Sequence, residues 1–158
     1  MTHAPIDLST LRKALAQLTE AISFWQARAP DDPLKPHLRS SVIQSFEFSY
    51  ELSVRAVRRV LIERAESADL VRDLSFNDLV RRALDANLPM EMDAWRRWRD
   101  MRNGTSHAYD EERAQVVALD AAAFAIDAGN LLEQLVVAIA LPQDGASVPI
   151  AALPSKGA

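Results

Sequence analysis

Apolar residues recur at alternating intervals of three and four positions near the start of the chain. The stripe comprises Leu8, Leu11, Leu15, Leu18, Ile22 and Trp25. This spacing puts the side chains on one helix face, so it predicts an amphipathic first helix, with Ser9 or Asp7 able to cap its start. The prolines of segment 29–33 end that helix, because proline cannot continue a helix and disfavours helical geometry in the residue before it.

The same periodicity predicts a second, longer helix from about Leu38 to Arg64. Its core stripe comprises Val42, Phe46, Tyr50, Val54, Val57 and Leu61. Phe48, in the same aromatic block, is also expected in the core. Ser75 and Asp78 have the spacing of a capping box, with aspartate in place of glutamate, for a short third helix that ends near Asn87.

Two more helices follow in the pattern. Pro89 marks the start of the fourth, which carries Met92, Trp95 and Trp98 and is expected to stop near Gly104, since glycine suits a helix C-terminus. Asp110 can cap the fifth. That helix has a stripe at heptad spacing that would serve the core or a partner helix, namely Val117, Ala121, Phe124, Ala128, Leu131, Leu135 and Ala138.

Composition agrees with a helical fold. The chain has 158 residues, 49% of them hydrophobic, and only 4 glycines, which favours packed helices over strands. We expect an all-α fold, an up-and-down bundle of four to five helices. One domain spans residues 1–141, and residues 142–158, rich in Pro, Gly, Ser and Ala, form a loose tail.

Several classes of protein are disfavoured by what the sequence lacks. It has no cysteine, and its three histidines show no ligand spacing, so we expect neither a metal site nor a cofactor. No apolar run approaches the roughly 20 residues of a membrane span, and the polar start lacks a signal-peptide core. These features predict a cytoplasmic protein without a membrane partner.

Charge is distributed unevenly. The net charge of -4 argues against a general nucleic-acid binder, which gathers affinity from many phosphate contacts. Around the fourth helix, however, Arg96, Arg97, Arg99 and Arg102 stand against Asp100 alone. Such a patch suits a short RNA segment or a nucleotide, and the alternative is a solvated helix face on which arginine stems cover apolar surface.

The segment from Arg102 to Tyr109 holds the groups needed to bind and cleave a phosphodiester. Arginine binds phosphate bidentately, and histidine exchanges protons near neutral pH. Asn103 can orient the imidazole of His107 or bond a phosphate oxygen. We therefore interpret Arg102, Asn103 and His107 as a candidate ribonuclease site.

Arg102, the polar Asn103 and His107 resemble the Arg-polar-x3-His motif of HEPN domains, small helical proteins that include metal-independent RNases. Ser106-His107-Ala108-Tyr109-Asp110 is similar to the HepT-type branch, the nucleotidyltransferase substrate-binding proteins, as is the block from Phe46 to Ser53. Where that branch usually has tryptophan and lysine after the block, this chain has Val54 and Arg55. The resemblance covers roughly residues 8 to 141.

This resemblance implies a HEPN-like bundle and several roles. An acidic residue of the second helix supports the motif arginine, and Glu51 is the candidate. Tyr109 matches a tyrosine that a partner nucleotidyltransferase can modify with AMP, which silences the RNase. The implied partners are a second copy of the chain, a small nucleotidyltransferase acting as antitoxin, and RNA.

Spacing constrains how the motif works. On an unbroken helix Arg102 and His107 would lie about 140° apart, so the helix must end near Gly104 for both to address one phosphate. RNA cleavage needs both a base and an acid, and one chain supplies one well-placed histidine. A two-fold dimer would pair both copies of the motif in one cleft, and HEPN RNases are understood to work as dimers.

Each candidate residue has a structural alternative. His107 can cap the last helical carbonyls, Arg102 can simply pair with Asp100 or Glu51, Tyr109 can be a core ring, and Glu47, Glu51 and Arg55 can form a surface ion-pair ladder. The corresponding functional alternatives are a non-catalytic module that presents a substrate, or itself, to a nucleotidyltransferase, and a plain helical dimerisation protein.

Overall fold

A computed structural model describes residues 4–107 and 110–141, and in these ranges the chain is helical without strands. The elements are α1 (Ser9–Gln26), α2 (Lys35–Arg64), α3 (Asp69–Arg72), α4 (Phe76–Asp85), α5 (Met92–Gly104), a 3-10 turn (Thr105–His107) and α6 (Glu111–Ala140). The all-α prediction is confirmed. The predicted tail at 142–158 lies outside the described residues.

The short helix α3 was missed, because four residues show no periodicity. Its C-terminal end is held from α2: the Arg58 guanidinium donates to the backbone carbonyls of Val71, Arg72 and Leu74 at 3.0 to 3.3 Å. These hydrogen bonds satisfy carbonyls that a helix end leaves unpaired. α3 is thus stabilised by Arg58, a residue at least thirteen positions away from the carbonyls that it contacts.

Local sequence sets most of the helix ends. Ser75 caps α4 as predicted, and its hydroxyl accepts from the Asp78 N–H at 3.3 Å. At α1 the N-cap is Leu8, and of the two predicted capping residues it is Asp7, one position before it, whose carboxylate accepts from the Ser9 N–H at 2.8 Å. α2 begins at Lys35, three residues earlier than expected, since Pro36 lies in its first turn, where proline is favourable. α5 begins at Met92, shortly after the predicted start at Pro89, and Glu91 is its N-cap.

The core lies between the three long helices α1, α2 and α6, against which α5 packs. The predicted stripe of α6 is buried throughout, and that of α1 is buried from Leu11 to Trp25. Rings from three helices meet at its centre: Phe124 contacts Phe46 at 4.9 Å between ring centroids, Trp95 at 6.0 Å and Trp98 at 5.9 Å. All three contacts are edge-to-face, the geometry that ring quadrupoles favour.

One aromatic residue of α2 does not join this core. Phe48 was expected inside, yet 61% of its surface is exposed. It lies two positions after buried Phe46, and two positions rotate a side chain by about 200° around a helix. Ser49 and Ser53 occupy the buried positions instead, and Val54 of the predicted stripe is half-buried.

The expectation about apolar runs needs a correction at α6. By length and composition alone this helix could cross a membrane, since its most apolar 18-residue window has a mean hydropathy of 1.5. Its buried stripe, from Ala114 to Ala138, packs against the other long helices. The core helix of a bundle passes the same test of length and hydropathy.

Gly129 offers a test of the packing of α6. It lies inside that helix with helical geometry, and a methyl group added there would meet nothing within 4 Å outside the adjoining helix backbone. We expect Gly129→Ala to raise the free energy of unfolding by about 0.5–1 kcal/mol, because alanine loses less backbone entropy on folding. Urea unfolding followed by circular dichroism measures this. A destabilised variant would show that another group occupies the space beside Gly129.

Candidate active site

The position of the motif is fixed by the way α5 attaches to the bundle. The Glu91 carboxylate accepts from the N–H groups of Asp93 and Ala94 at 3.0 and 2.7 Å, and these hydrogen bonds, that of Ala94 most of all, lower the pKa of Glu91. Trp95 and Trp98 are buried, and the Trp98 Nε1–H donates to Asp127 of α6 at 2.9 Å. The last turn of α5 is therefore held between α2 and α6.

Arg102 on that last turn is bound by two carboxylates of α2. Its Nε and Nη2 groups donate to Glu51 Oε1 at 3.1 and 2.5 Å, and Nη1 lies 3.5 Å from Glu47 Oε2. Nη1 also donates to the Thr105 hydroxyl at 3.1 Å. The guanidinium thus has a fixed orientation, although 28% of the side chain remains accessible.

α5 ends at Gly104, as predicted, but the glycine does not adopt the left-handed conformation that often ends a helix. Among the described residues no glycine has a positive φ, and Thr105 also keeps helical geometry. The helix instead tightens into a 3-10 turn, where the buried Thr105 hydroxyl donates to the Arg102 carbonyl at 2.7 Å. Thr105 therefore bonds both the backbone and the guanidinium of Arg102, and the change of pitch happens directly after the motif arginine.

The structure locates the other motif residues in part. Asn103 is exposed, and its backbone carbonyl accepts from the Ser106 hydroxyl at 3.3 Å. The 3-10 turn ends at His107, so the backbone of this residue comes five positions after Arg102, but its side chain lies outside the described part of the structure. Tyr109 lies outside it as well.

The arginines of the predicted patch divide between two sides of α5. Arg97 faces α6, where it pairs with Asp120 at 2.7 Å. Arg96 and Arg99 lie three residues apart and face α4: Arg96 donates to the Asn77 side chain at 3.2 Å, and the Arg99 guanidinium lies 5.0 Å from the ring centre of Phe76.

The arginines on the two sides of α5 differ in whether a carboxylate neutralises their charge. In the described part of the chain neither Arg96 nor Arg99 is paired with a carboxylate, whereas Arg97 is. Asn103 is four positions after Arg99 and shares its side of the helix. The uncompensated positive charge therefore lies on the α4 side of α5, next to Arg102.

Two residues at this site were not anticipated in their observed roles. Glu47 and Thr105 both contact Arg102, whereas Glu47 had been considered for a surface ladder with Arg55. The sequence contained a signal for Glu47, since it lies one helical turn from Glu51 and shares its face. It contained none for Thr105, because its contact depends on the tightened turn.

Tyr50 lies against the same site from inside the bundle. Its ring centre is 6.5 Å from that of Trp95, and burial raises the pKa of its phenol to about 12, although the charges of Arg99 and Arg102 act in the opposite direction. The phenol is therefore neutral at physiological pH and does not serve as a base there. Over the described residues no group of three or more His, Cys, Asp or Glu side chains is arranged to hold a metal ion.

Comparison with known proteins identifies the family to which this arrangement belongs. Residues 6–137 match the model of the family described as nucleotidyltransferase substrate binding protein like. The chain belongs to this HepT-like family. It is 43% identical over 98 residues to a probable ribonuclease HepT of Haemophilus influenzae, which corresponds to 62% of this chain and 67% of that protein.

A solved structure supports the same conclusion for the fold. The chain resembles a Haemophilus influenzae protein described as the substrate-binding domain of a nucleotidyltransferase, with a TM-score of 0.75 and 34% identity. The match covers 82% of this chain and 98% of the other. The region matched by the HepT-like family model contains every helix from α1 to α5, most of α6 and the whole motif segment, but not residues 138–158.

The environment of Tyr50 predicts its titration. In a Tyr109→Phe variant Tyr50 is the only tyrosine, and we expect its absorbance to change near pH 12 in the folded protein and near pH 10 after unfolding. Between these values the unfolded chain has lost a proton that the folded chain keeps, so stability must fall as the pH rises. Spectrophotometric titration measures both states. A midpoint near 10 with native circular dichroism would contradict the burial of the phenol.

Proposed function

We propose that the protein is a metal-independent endoribonuclease of the HEPN type that acts as the toxin of a toxin-antitoxin pair and is restrained by a small nucleotidyltransferase. The observation that carries the proposal is the fixed guanidinium of Arg102, directly before the turn that ends at His107. The name of the Haemophilus influenzae ribonuclease relative supports the same activity. Its RNA substrate would place the protein in the cytoplasm.

The proposed chemistry uses the motif residues in distinct roles. His107 removes the proton of a ribose 2′-OH, whose oxygen attacks the adjacent phosphorus, and an acid protonates the departing 5′-oxygen as its bond to phosphorus breaks. Arg102 stabilises the negative charge that gathers on the phosphate oxygens in the transition state. The products are a cyclic phosphate and a 5′-hydroxyl. In this scheme Asn103 bonds the imidazole or a phosphate oxygen.

The hydrogen bonds of Arg102 leave it able to take part. A guanidinium has five N–H groups, and three of them donate to Glu51 or Thr105. The remaining two, one on each Nη, make no hydrogen bond to a described residue, although Nη1 forms an ion pair with Glu47 Oε2 at 3.5 Å. In the proposed role these two N–H groups donate to phosphate oxygens. In this role Glu51 positions Arg102, Arg96 and Arg99 supply further positive charge, and Arg97 contributes less because Asp120 neutralises it.

The proposal includes a homodimer. Cleavage by two proton-transferring groups needs a base and an acid, and His107 is the one histidine of the motif in each chain. A two-fold axis beside the end of α5 would bring the second copy of His107 and of Arg102 into the same cleft.

A specific observation favours the alternative of a non-catalytic substrate-binding subunit. Two carboxylates face one guanidinium, so the ion-pair cluster of Arg102, Glu47 and Glu51 carries a net negative charge, which opposes the approach of a phosphate. The matched family and the related solved structure are both described as substrate-binding proteins of a nucleotidyltransferase. In this alternative Arg102 only joins α5 to α2.

Substitution of the motif residues separates the two functions. We expect Arg102→Ala and His107→Ala each to reduce RNA cleavage at least about 100-fold, because each removes a group that acts in the transition state. Arg102 is partly exposed, so its ion pairs should contribute at most about 1 kcal/mol to stability and the fold should persist. Cleavage of labelled RNA by purified protein, with unfolding curves, measures both.

Arg28→Ala is the matched control, since Arg28 is an exposed arginine paired with Asp32 away from the motif. It should cleave like the parent, and EDTA should leave the rate unchanged. Mixing Arg102→Ala with His107→Ala chains should restore no activity, because the mixed dimer holds one His107 where the two-histidine mechanism needs two. Absence of cleavage by the parent protein would favour the substrate-binding alternative, and a monomer in light scattering at micromolar concentration would exclude the two-histidine mechanism.

Tyr109 is proposed as the point of control. A nucleotidyl group two residues from His107 would put a phosphate and a bulky base where the RNA phosphate binds. We expect co-expression with the cognate nucleotidyltransferase to add AMP-sized mass to the protein and suppress its activity, and Tyr109→Phe to escape the modification while keeping activity. Intact-mass spectrometry measures the addition. Full inhibition without added mass would show that the partner inhibits by binding alone.

A further inference from the structure

A small polar cavity lies between α1 and α2 on the outside of the bundle, apart from the contacts of Arg102. Its volume is about 240 Å³. It is lined by Gln17 of α1 and by Ser41, Gln44, Ser45 and Phe48 of α2. One wall is thus an aromatic ring, and the others carry amide and hydroxyl groups.

The polar groups of this cavity have unused hydrogen-bonding capacity. None of the side chains of Gln17, Ser41, Gln44 and Ser45 makes a hydrogen bond to another residue in the described part of the chain. By contrast, the neighbouring Ser40 hydroxyl donates to the Pro36 carbonyl at 3.1 Å. The two amides and two hydroxyls offer both donors and acceptors to a ligand.

The ring of Phe48 is exposed, as is that of Phe24 on α1, whereas most aromatic rings of the described residues are buried. The three tryptophans, Phe46 and Phe124 are all buried, and burying a phenylalanine is normally worth about 1.5–3 kcal/mol. Phe48 does not contribute this stabilisation, since 61% of its surface is exposed. A flat apolar ring beside free amides matches the two properties of a nucleobase, a stacking face and hydrogen-bonding edges.

We infer that this cavity binds a nucleobase of single-stranded RNA, with Phe48 stacked on the base and Gln17 and Gln44 bonded to its edge. Phe48 and Glu51 are three residues apart on α2, about 5–6 Å between their Cβ atoms, and Glu51 contacts Arg102. When one phosphate of an RNA strand binds Arg102, the neighbouring nucleotide therefore lies within reach of Phe48. The inference rests on the proposed function in taking RNA as the ligand.

The lining favours a base over an apolar protein anchor. A protein partner that docks through Phe48 would need a contiguous apolar surface around it. Of the four residues one turn away, Gln44, Ser45 and Glu51 are polar, and the fourth, Leu52, is half-buried and packs against the core. Glu47 and Glu51 beside the ring are compensated in part by Arg102, which limits their repulsion of the RNA backbone.

Tryptophan fluorescence tests the inference directly. Because the native tryptophans are buried, Phe48→Trp introduces one exposed indole, and its emission should be quenched when a base stacks on it. The probe is a 2′-O-methyl hexaribonucleotide, which lacks the attacking hydroxyl and is not cleaved. An abasic strand of the same length supplies the phosphates without bases. Phe24→Trp is the matched control, since Phe24 is 56% exposed on α1 and does not line the cavity.

We expect quenching of Phe48→Trp by the hexanucleotide, little by the abasic strand, and none in Phe24→Trp. Affinity for the hexanucleotide should fall about tenfold in Phe48→Ala and Phe48→Leu but not in Phe48→Trp, since stacking needs a ring. Gln44→Ala should change the preference among homopolymeric hexanucleotides. Circular dichroism verifies that each exposed substitution leaves the fold intact.

Two results would overturn the base site. One is equal affinity for the hexanucleotide in Phe48→Leu, Phe48→Ala and the parent, and the other is a change of oligomeric state in Phe48→Ala, which would assign the ring to a protein interface. Failure of the proposed ribonuclease is distinguishable, because the uncleavable probe reports binding whether or not the parent protein cleaves RNA. RNA cleavage without quenching of Phe48→Trp would retain the enzyme and reject the base site.

Discussion

The attachment of α5 to the bundle is the constraint on which the candidate site depends. Trp95 and Trp98 pack edge-to-face on Phe124, and the indole of Trp98 also donates to Asp127 of the same helix, α6. The apolar contact is strong but not directional, whereas the hydrogen bond fixes the rotation of α5 about its own axis. That rotation decides which arginines turn toward α2 and α4 and which toward α6.

The rotation of α5 determines which arginines near the motif are paired with carboxylates. Arg102 meets Glu51 and Glu47, Arg97 meets Asp120, and Arg96 and Arg99 remain without carboxylates in the described part of the chain. Within the predicted arginine patch, the positive charge that no carboxylate of the described residues neutralises therefore lies on one side of α5, although the protein as a whole has a net charge of -4. Such a local field attracts a short anionic segment without the long-range attraction that a generally basic protein exerts on nucleic acids.

Binding and catalysis would then be divided between α2 and α5. α2 contributes the carboxylates that orient Arg102 and, on an adjoining side, the exposed ring of Phe48. α5 and the 3-10 turn contribute the guanidinium and the backbone position of His107. Because Arg102 is joined to α2 by hydrogen bonds, the proposed base site and the phosphate site are parts of one rigid arrangement.

The sequence by itself determined the five longer helices, most of their core stripes and the motif, because apolar periodicity and capping groups act over three or four residues, the distance at which neighbouring turns meet. It also placed Glu51 among the candidate partners of Arg102. Only the tertiary structure decided that Glu47 and Thr105 join that cluster and that Arg97 is neutralised while Arg96 and Arg99 are not. The physical reason is that these outcomes depend on the rotation of one helix against another, which is fixed by contacts between residues far apart in the chain.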